Sequence, residues 1–262
     1  MKKTALIAIA VLTVAGAAFG DVTIRQTTSG KGLVALANGD SITYIKGMKM
    51  RTDAEFRGTT QTTIFDLENQ KMYVFDSKKK RAEVWDMQAF AAELAKSVET
   101  GEMKASMKPN GEKKEIAGKT AAGYRLETSV QARLGGPEGM PMTVELEGPM
   151  WIVKGAPGAA EYAAFYKAAA EKGWIFTNPD AAKGSPGQAK AMAEMYRLLA
   201  STNGLPYQTE MTISVTGEGP MAAVMSRMGG MQMTSTVQSV DTGAIDESIF
   251  APPAGYKLVA KK

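Results

Sequence analysis

Between Asp21 and Asp86, apolar and polar residues alternate in short runs broken by turn residues, the pattern of half-buried antiparallel strands. It predicts strands near 22–28, 33–37, 41–46, 48–57, 61–67, 71–76 and 81–86. Asn38-Gly39-Asp40 and the charged run Asp76-Ser-Lys-Lys-Lys-Arg81 supply turns between them. The period then changes. Met87, Phe90, Leu94 and Val98 fall at helical spacing behind Asp86, a good N-cap, and Gly101 follows the end. Strand patterning resumes near 103–109, 113–117, 121–131 and 142–153, around a Gly- and Pro-rich loop at 134–141.

A helical block comes next. Tyr162, Phe165, Tyr166 and Ala169 share one face of a helix that ends at Gly173. A second helix has Ser185 as cap and Pro186 in its first turn, carries Met192, Met195, Tyr196 and Leu199 on one face, and stops at Asn203-Gly204. Strands return at 207–217 and 231–241. Many strands without strict alternation with helices argue for an α+β protein on one large curved sheet, with helices over one face.

The N-terminus has the three parts of an export signal. Lys2 and Lys3 form the charged start, Ala5 to Phe19 the apolar middle, and Ala18 and Gly20 the small residues of a cleavage site before Asp21. The apolar stretch is short of the roughly 20 residues a membrane-spanning helix needs. A signal peptide over 1–20 and a single mature domain over 21–262, working in the periplasm, are therefore expected, with no transmembrane segment in the mature chain.

Composition removes several function classes. The chain has no cysteine, so it forms no disulfide or zinc–thiolate site and carries no lipid-modified cysteine. It has no histidine either, which removes the commonest general base and metal ligand. A net charge of +4, half of it in the leader, is too small to suggest nucleic acid. No nucleophile elbow, phosphate loop or serine–lysine motif occurs, and Glu145 with Glu147, like Asp66 with Glu68, are paired only by strand alternation.

Two clusters invite chemistry. Met225, Met228, Met231 and Met233 lie close together among 18 methionines, and thioethers are soft ligands suited to Cu(I). Without an imidazole partner the run reads better as flexible apolar padding, and no metal site and no cofactor are expected. The basic run Lys78 to Arg81 reads as a solvated hairpin tip.

Ile45-Lys-Gly-Met-Lys-Met-Arg51, Thr62-Thr-Ile-Phe-Asp66 and Lys71-Met-Tyr-Val-Phe-Asp76 resemble the opening strands of the LolA/LolB-like lipoprotein-carrier superfamily. The likeness is nearest to that superfamily's uncharacterised exported family. Glu115 to Leu126, Asn203-Gly-Leu-Pro-Tyr207 and Ser248 to Tyr256 resemble its central strand pair, its post-helix strand entry and its C-terminal end. The resemblance implies a half-open, strongly curved antiparallel sheet of about 11 strands, its concave face covered by helices and roomy enough for acyl chains.

On that basis the candidate ligand-binding residues are Met48, Met50, Arg51, Phe65 and Phe75, with Trp85, Phe90, Leu94 and Trp151. Tyr44 and Tyr73 belong to the same aromatic set, and helix 87–98 is read as a lid. Lys49 and Arg51 share one strand parity and Met48 and Met50 the other, so Arg51 is expected on the outward side. Three functions stay open. A non-enzymatic carrier of an apolar or lipid-like molecule leads, followed by a cell-envelope interaction protein with a filled core, and by a methionine-rich copper binder.

Overall fold

The computed structural model describes residues 20–31, 38–56, 58–97, 103–134, 140–174, 179, 186–217 and 230–261. The leader to residue 19, the expected strand at 33–37, most of the loop at 134–141, Val98, Ser185, Met225 and Met228 lie outside them.

Among the described residues six strands come first: β1 (Val22–Lys31), β2 (Gly39–Lys46), β3 (Lys49–Phe56), β4 (Thr59–Asp66), β5 (Lys71–Asp76) and β6 (Arg81–Asp86). Helix α1 (Met87–Ser97) follows. Then come β7 (Met103–Ile116), β8 (Lys119–Leu134) and β9 (Met140–Lys154), helices α2 (Ala159–Glu171) and α3 (Pro186–Ser201), and strands β10 (Gly204–Gly217), β11 (Met231–Asp241) and β12 (Lys257–Lys261).

Local chemistry explains the joints. Gly47 takes φ 54° in the two-residue turn between β2 and β3, as a primed hairpin turn requires. Asp66 accepts the Asn69 N–H at 2.9 Å and Asp76 the Lys79 N–H at 3.0 Å, two Asx turns that close neighbouring hairpins. Asp86 caps α1 by accepting the Ala89 N–H at 3.0 Å, as its sequence position predicts. That bond, with Lys71 beside it, holds the Asp86 carboxyl below its ordinary pKa. The α2 helix ends where Gly173 N–H returns to the Ala170 carbonyl and Trp174 N–H to that of Ala169.

The strands form one sheet of order β12-β6-β5-β4-β3-β2-β1-β11-β10-β9-β8-β7. This corrects the expected half-open, strongly curved antiparallel barrel. The sheet is open, since its edge strands β12 and β7 stand at opposite ends of the order, and it is not strongly curled. It is also mixed, because β12 pairs parallel to β6. On β3 to β6 both faces are covered. Helices shield one, while residues 242–256 cross the other, where Tyr256 packs beside Ile64, Phe75 and Ala82. Those strands are buried without curling the sheet round them, while on the far wing Arg125, Glu127 and Glu147 leave the second face in water.

Register organises the helix-facing side. Val22, Ile45, Met50, Phe65, Met72 and Trp85 are successive cross-strand partners over β1 to β6, each no more than 4% exposed. Beyond β11, Leu126, Leu146, Met150 and Ile152 continue the cover under Ala191, Met195 and Leu199 of α3. Among the described residues no helix is long and apolar enough to cross a membrane.

Gly148 marks the tightest passage in this wing. Its φ is 152°, and a Cβ there would lie 1.9 Å from the backbone oxygen of Glu210 on β10. Gly148→Ala is expected to cost about 2–5 kcal/mol through strain and overpacking, read as a drop in the urea midpoint. An unchanged midpoint would show that β9 and β10 can separate at little cost.

Candidate functional site

The sheet centre meets the helices at a crevice of about 150 Å³. Its sheet side carries polar groups from Gln26 and Thr28 on β1, Thr209 on β10 and Ser235 on β11. Thr28 and Thr209 are both cross-strand partners of Ser235, so three hydroxyl-bearing residues form a row across three strands. The Thr28 hydroxyl donates to Ser235 Oγ at 3.4 Å, a long bond. Met150, Met211 and Met233 add sulfur to the same floor. Met211 and Met233 face each other across β10 and β11.

The helices supply Tyr162 from α2, and Met192, Met195, Tyr196 and Leu199 from α3. Five methionines thus meet from four elements. Unbranched, polarizable thioether chains re-pack at low cost, which suits an adaptable apolar site.

The lining tyrosines Tyr162 and Tyr196 join a third, Tyr166, behind the crevice wall. The Tyr166 ring stacks on Tyr196 at 4.5 Å and 9°, and lies 4.5 Å from Tyr162 at a tilt of 46°. Its hydroxyl lies 3.5 Å from Met50 Sδ, tying α2 to the apolar row of the sheet. Burial pushes all three phenols above their ordinary pKa, so they are neutral. Sequence periodicity puts these tyrosines on helix faces, but nothing in it reveals that α2 and α3 bring them into one stack.

The sequence-derived candidates separate into groups. Met50, Phe65 and Trp85 are neighbours in the buried row, and Met48 packs against the same core. Phe90 seats α1 on Trp85, edge to face at 5.8 Å. Leu94 lies on α1, but its side chain is outside the described residues. None of these lines the crevice, and α2 and α3 cover it where helix 87–98 was expected.

Three candidates lie on the opposite side of the sheet. Trp151 is capped by Lys114 at 4.2 Å from its ring centre, and Phe75 packs on Tyr256. Arg51 pairs with Asp53 at 3.0 Å and donates to the Ile249 carbonyl at 3.0 Å. It belongs to a cationic series that straps down the C-terminal segment. Lys46 donates to the Ile245 carbonyl at 2.6 Å, and Lys49 pairs with Glu247. Met231 and Met233 pack beside the apolar cluster under α3.

No family model and no curated protein matches the chain. Among solved structures it is distantly similar to an uncharacterised conserved protein from Thermus thermophilus, at 7% identity and TM-score 0.42 over 93% of this chain and 91% of that one. It is similar to PNGF-II at 12% and 0.36, over 92% of this chain and 31% of the other. The Mycobacterium tuberculosis lipoprotein LppX gives 7% and 0.34, over 87% and 89%. Likeness this loose carries no functional argument, so function is read from the chain's own geometry.

The tyrosine stack makes an alkaline prediction. Burial raises each folded-state pKa above the ordinary tyrosine value of 10.0, so the native state holds protons that the unfolded state releases. Stability is fully present below about pH 10 and falls above it, by up to ~1.4 kcal/mol per pH unit per tyrosine. Urea midpoints measured across this range should fall steeply for the native chain and less for Tyr162→Phe/Tyr196→Phe. Equal slopes would show that the phenols ionise freely in the folded state.

Proposed function

We propose that the protein is a non-enzymatic, exported binder of an apolar or lipid-like small molecule, held in the crevice between α2, α3 and the sheet. The observation that carries this reading is the crevice itself, a methionine-lined space at the sheet centre that two neutral tyrosines, Tyr162 and Tyr196, also line. Burying one apolar side chain or its equivalent contributes about 1.5–3 kcal/mol, enough to retain a modest ligand. Catalysis finds no support. The chain has no histidine or cysteine, and among the described residues no three acidic groups gather as a metal site would need.

Size decides how the ligand enters. A void near 150 Å³ admits a benzene-sized group, while drug-sized ligands take about 300–1,000 Å³. A longer chain therefore extends out of the opening or displaces the methionines. The resemblance of the opening strands to the lipoprotein-carrier superfamily and its uncharacterised exported family supports the same reading. The aromatic packing of Phe65, Trp85 and Phe90 favours a second one, an envelope interaction protein whose core is simply full.

The two readings part on binding. Nile red, an uncharged fluorescent probe, should bind the mature protein at micromolar concentration, and mass spectrometry of gently purified protein should find co-purifying lipid. Met192→Trp fills the crevice from the half-buried face of α3 and should weaken the probe by about tenfold or more, ~1.4 kcal/mol, with an unchanged melting temperature. A native protein that binds no probe and carries no lipid is the filled-core protein.

Export is tested separately. The charged start, apolar middle and small residues before Asp21 support a cleaved leader and a periplasmic address. N-terminal sequencing of the exported protein should begin at or within a few residues of Asp21, and an intact Met1 on membranes would identify an anchor.

A further inference from the structure

The crevice is uncharged as well as apolar. Among the described residues that line it, none is an aspartate, glutamate, lysine or arginine, and its polar groups are one amide, three aliphatic hydroxyls and two phenols. Register places the three hydroxyls together, since Thr28, Ser235 and Thr209 are consecutive partners across β1, β11 and β10. They lie on the sheet side, while Met192, Met195 and Leu199 lie on the helix side. The aliphatic hydroxyls are thus gathered on the floor, beside Met150, Met211 and Met233, and the roof adds hydrocarbon, sulfur and the two phenols.

On β2 to β4 the same side of the sheet stays uncharged beyond the crevice. Thr43, Thr52 and Thr63 follow one another across β2, β3 and β4, with Thr43 and Thr52 hydroxyls 3.3 Å apart. The cations of these strands, Lys46, Lys49 and Arg51, face the other way and are occupied with Asp21, Glu247, Asp53 and the C-terminal carbonyls.

Resting on the binding reading above, we infer that the ligand is an uncharged amphiphile, a neutral lipid or long-chain alcohol or ester, whose oxygen atoms meet the Thr28–Ser235–Thr209 row while its hydrocarbon lies against the methionines. An ionised carboxylate or ammonium placed there would lose its hydration and find no counter-ion, a penalty that outweighs the gain from its tail. A neutral hydroxyl or ester instead exchanges water for protein hydrogen bonds at little net cost. The neighbouring phenols do not alter this, because burial keeps Tyr162 and Tyr196 protonated.

The test holds the tail constant and changes the head. Octanol, octanoate and octylammonium each compete with Nile red on the full mature chain at neutral pH. Octanol should displace the probe, and both ions should be weaker by about a hundredfold or more. Below the pKa of its carboxyl, octanoic acid should compete like octanol. Thr28→Val/Ser235→Ala should weaken octanol by about three- to tenfold, with an unchanged melting temperature showing that the variant folds; octanol held as tightly as by the native chain overturns the hydroxyl contact. Octanoate or octylammonium binding as well as octanol at neutral pH, with Nile red bound, overturns the selectivity and leaves the binding reading standing. A native chain that binds neither Nile red nor any octyl compound overturns both.

Discussion

Every element of this protein answers to one constraint, the need to keep the helix-facing side of a twelve-stranded sheet away from water. The row from Val22 to Trp85 satisfies it on β1 to β6, where each member is the direct cross-strand partner of the next. A slip of one residue in any hairpin would turn that strand's share of the row outward. The Asx turns at Asp66 and Asp76 and the glycine turn at Gly47 therefore protect the core as well as the connections. Tyr166 joins this half of the sheet to the helices through Met50.

The opposite side is managed by charge. Lys46, Lys49 and Arg51 alternate outward from the apolar row and hold successive positions of the C-terminal segment at Ile245, Glu247 and Ile249. That segment shields Ile64 and Phe75 before β12 joins β6. Hydrogen bonds from cations to carbonyls are stronger than neutral ones, and at half-buried positions they retain part of that advantage. Arg51 thereby serves the fold, with no view of the crevice.

Function enters where the constraint is met least completely. At the sheet centre the apolar row gives way to threonine, serine and glutamine, and the helices answer with methionine and tyrosine in place of close-packed leucine. Such a lining holds space open without stranding a charge, and its thioethers yield to different shapes. The absence of acidic and basic groups from this described lining makes it a place for neutral molecules.

Much of the secondary structure was legible in the alternation of residues 22–86, in the Asp86 cap and in the helical periods around Tyr162 and Met195, because these depend on neighbours within a few positions. Opposite parities for Met50 and Arg51 were legible for the same reason. Short-range pattern carries no record of which strands become partners far along the chain. The sheet's openness, the parallel β12 and the meeting of Thr28 with Ser235 and Thr209 rest on contacts between segments widely separated in sequence. Aromatic residues such as Trp151 and Phe75 looked like pocket lining because apolarity marks burial but does not say on which face. The sequence by itself determined most of the strands, the helices and the chemistry that is missing. Only the tertiary structure decided where the crevice lies, since a site assembled from six elements exists only once their long-range register is set.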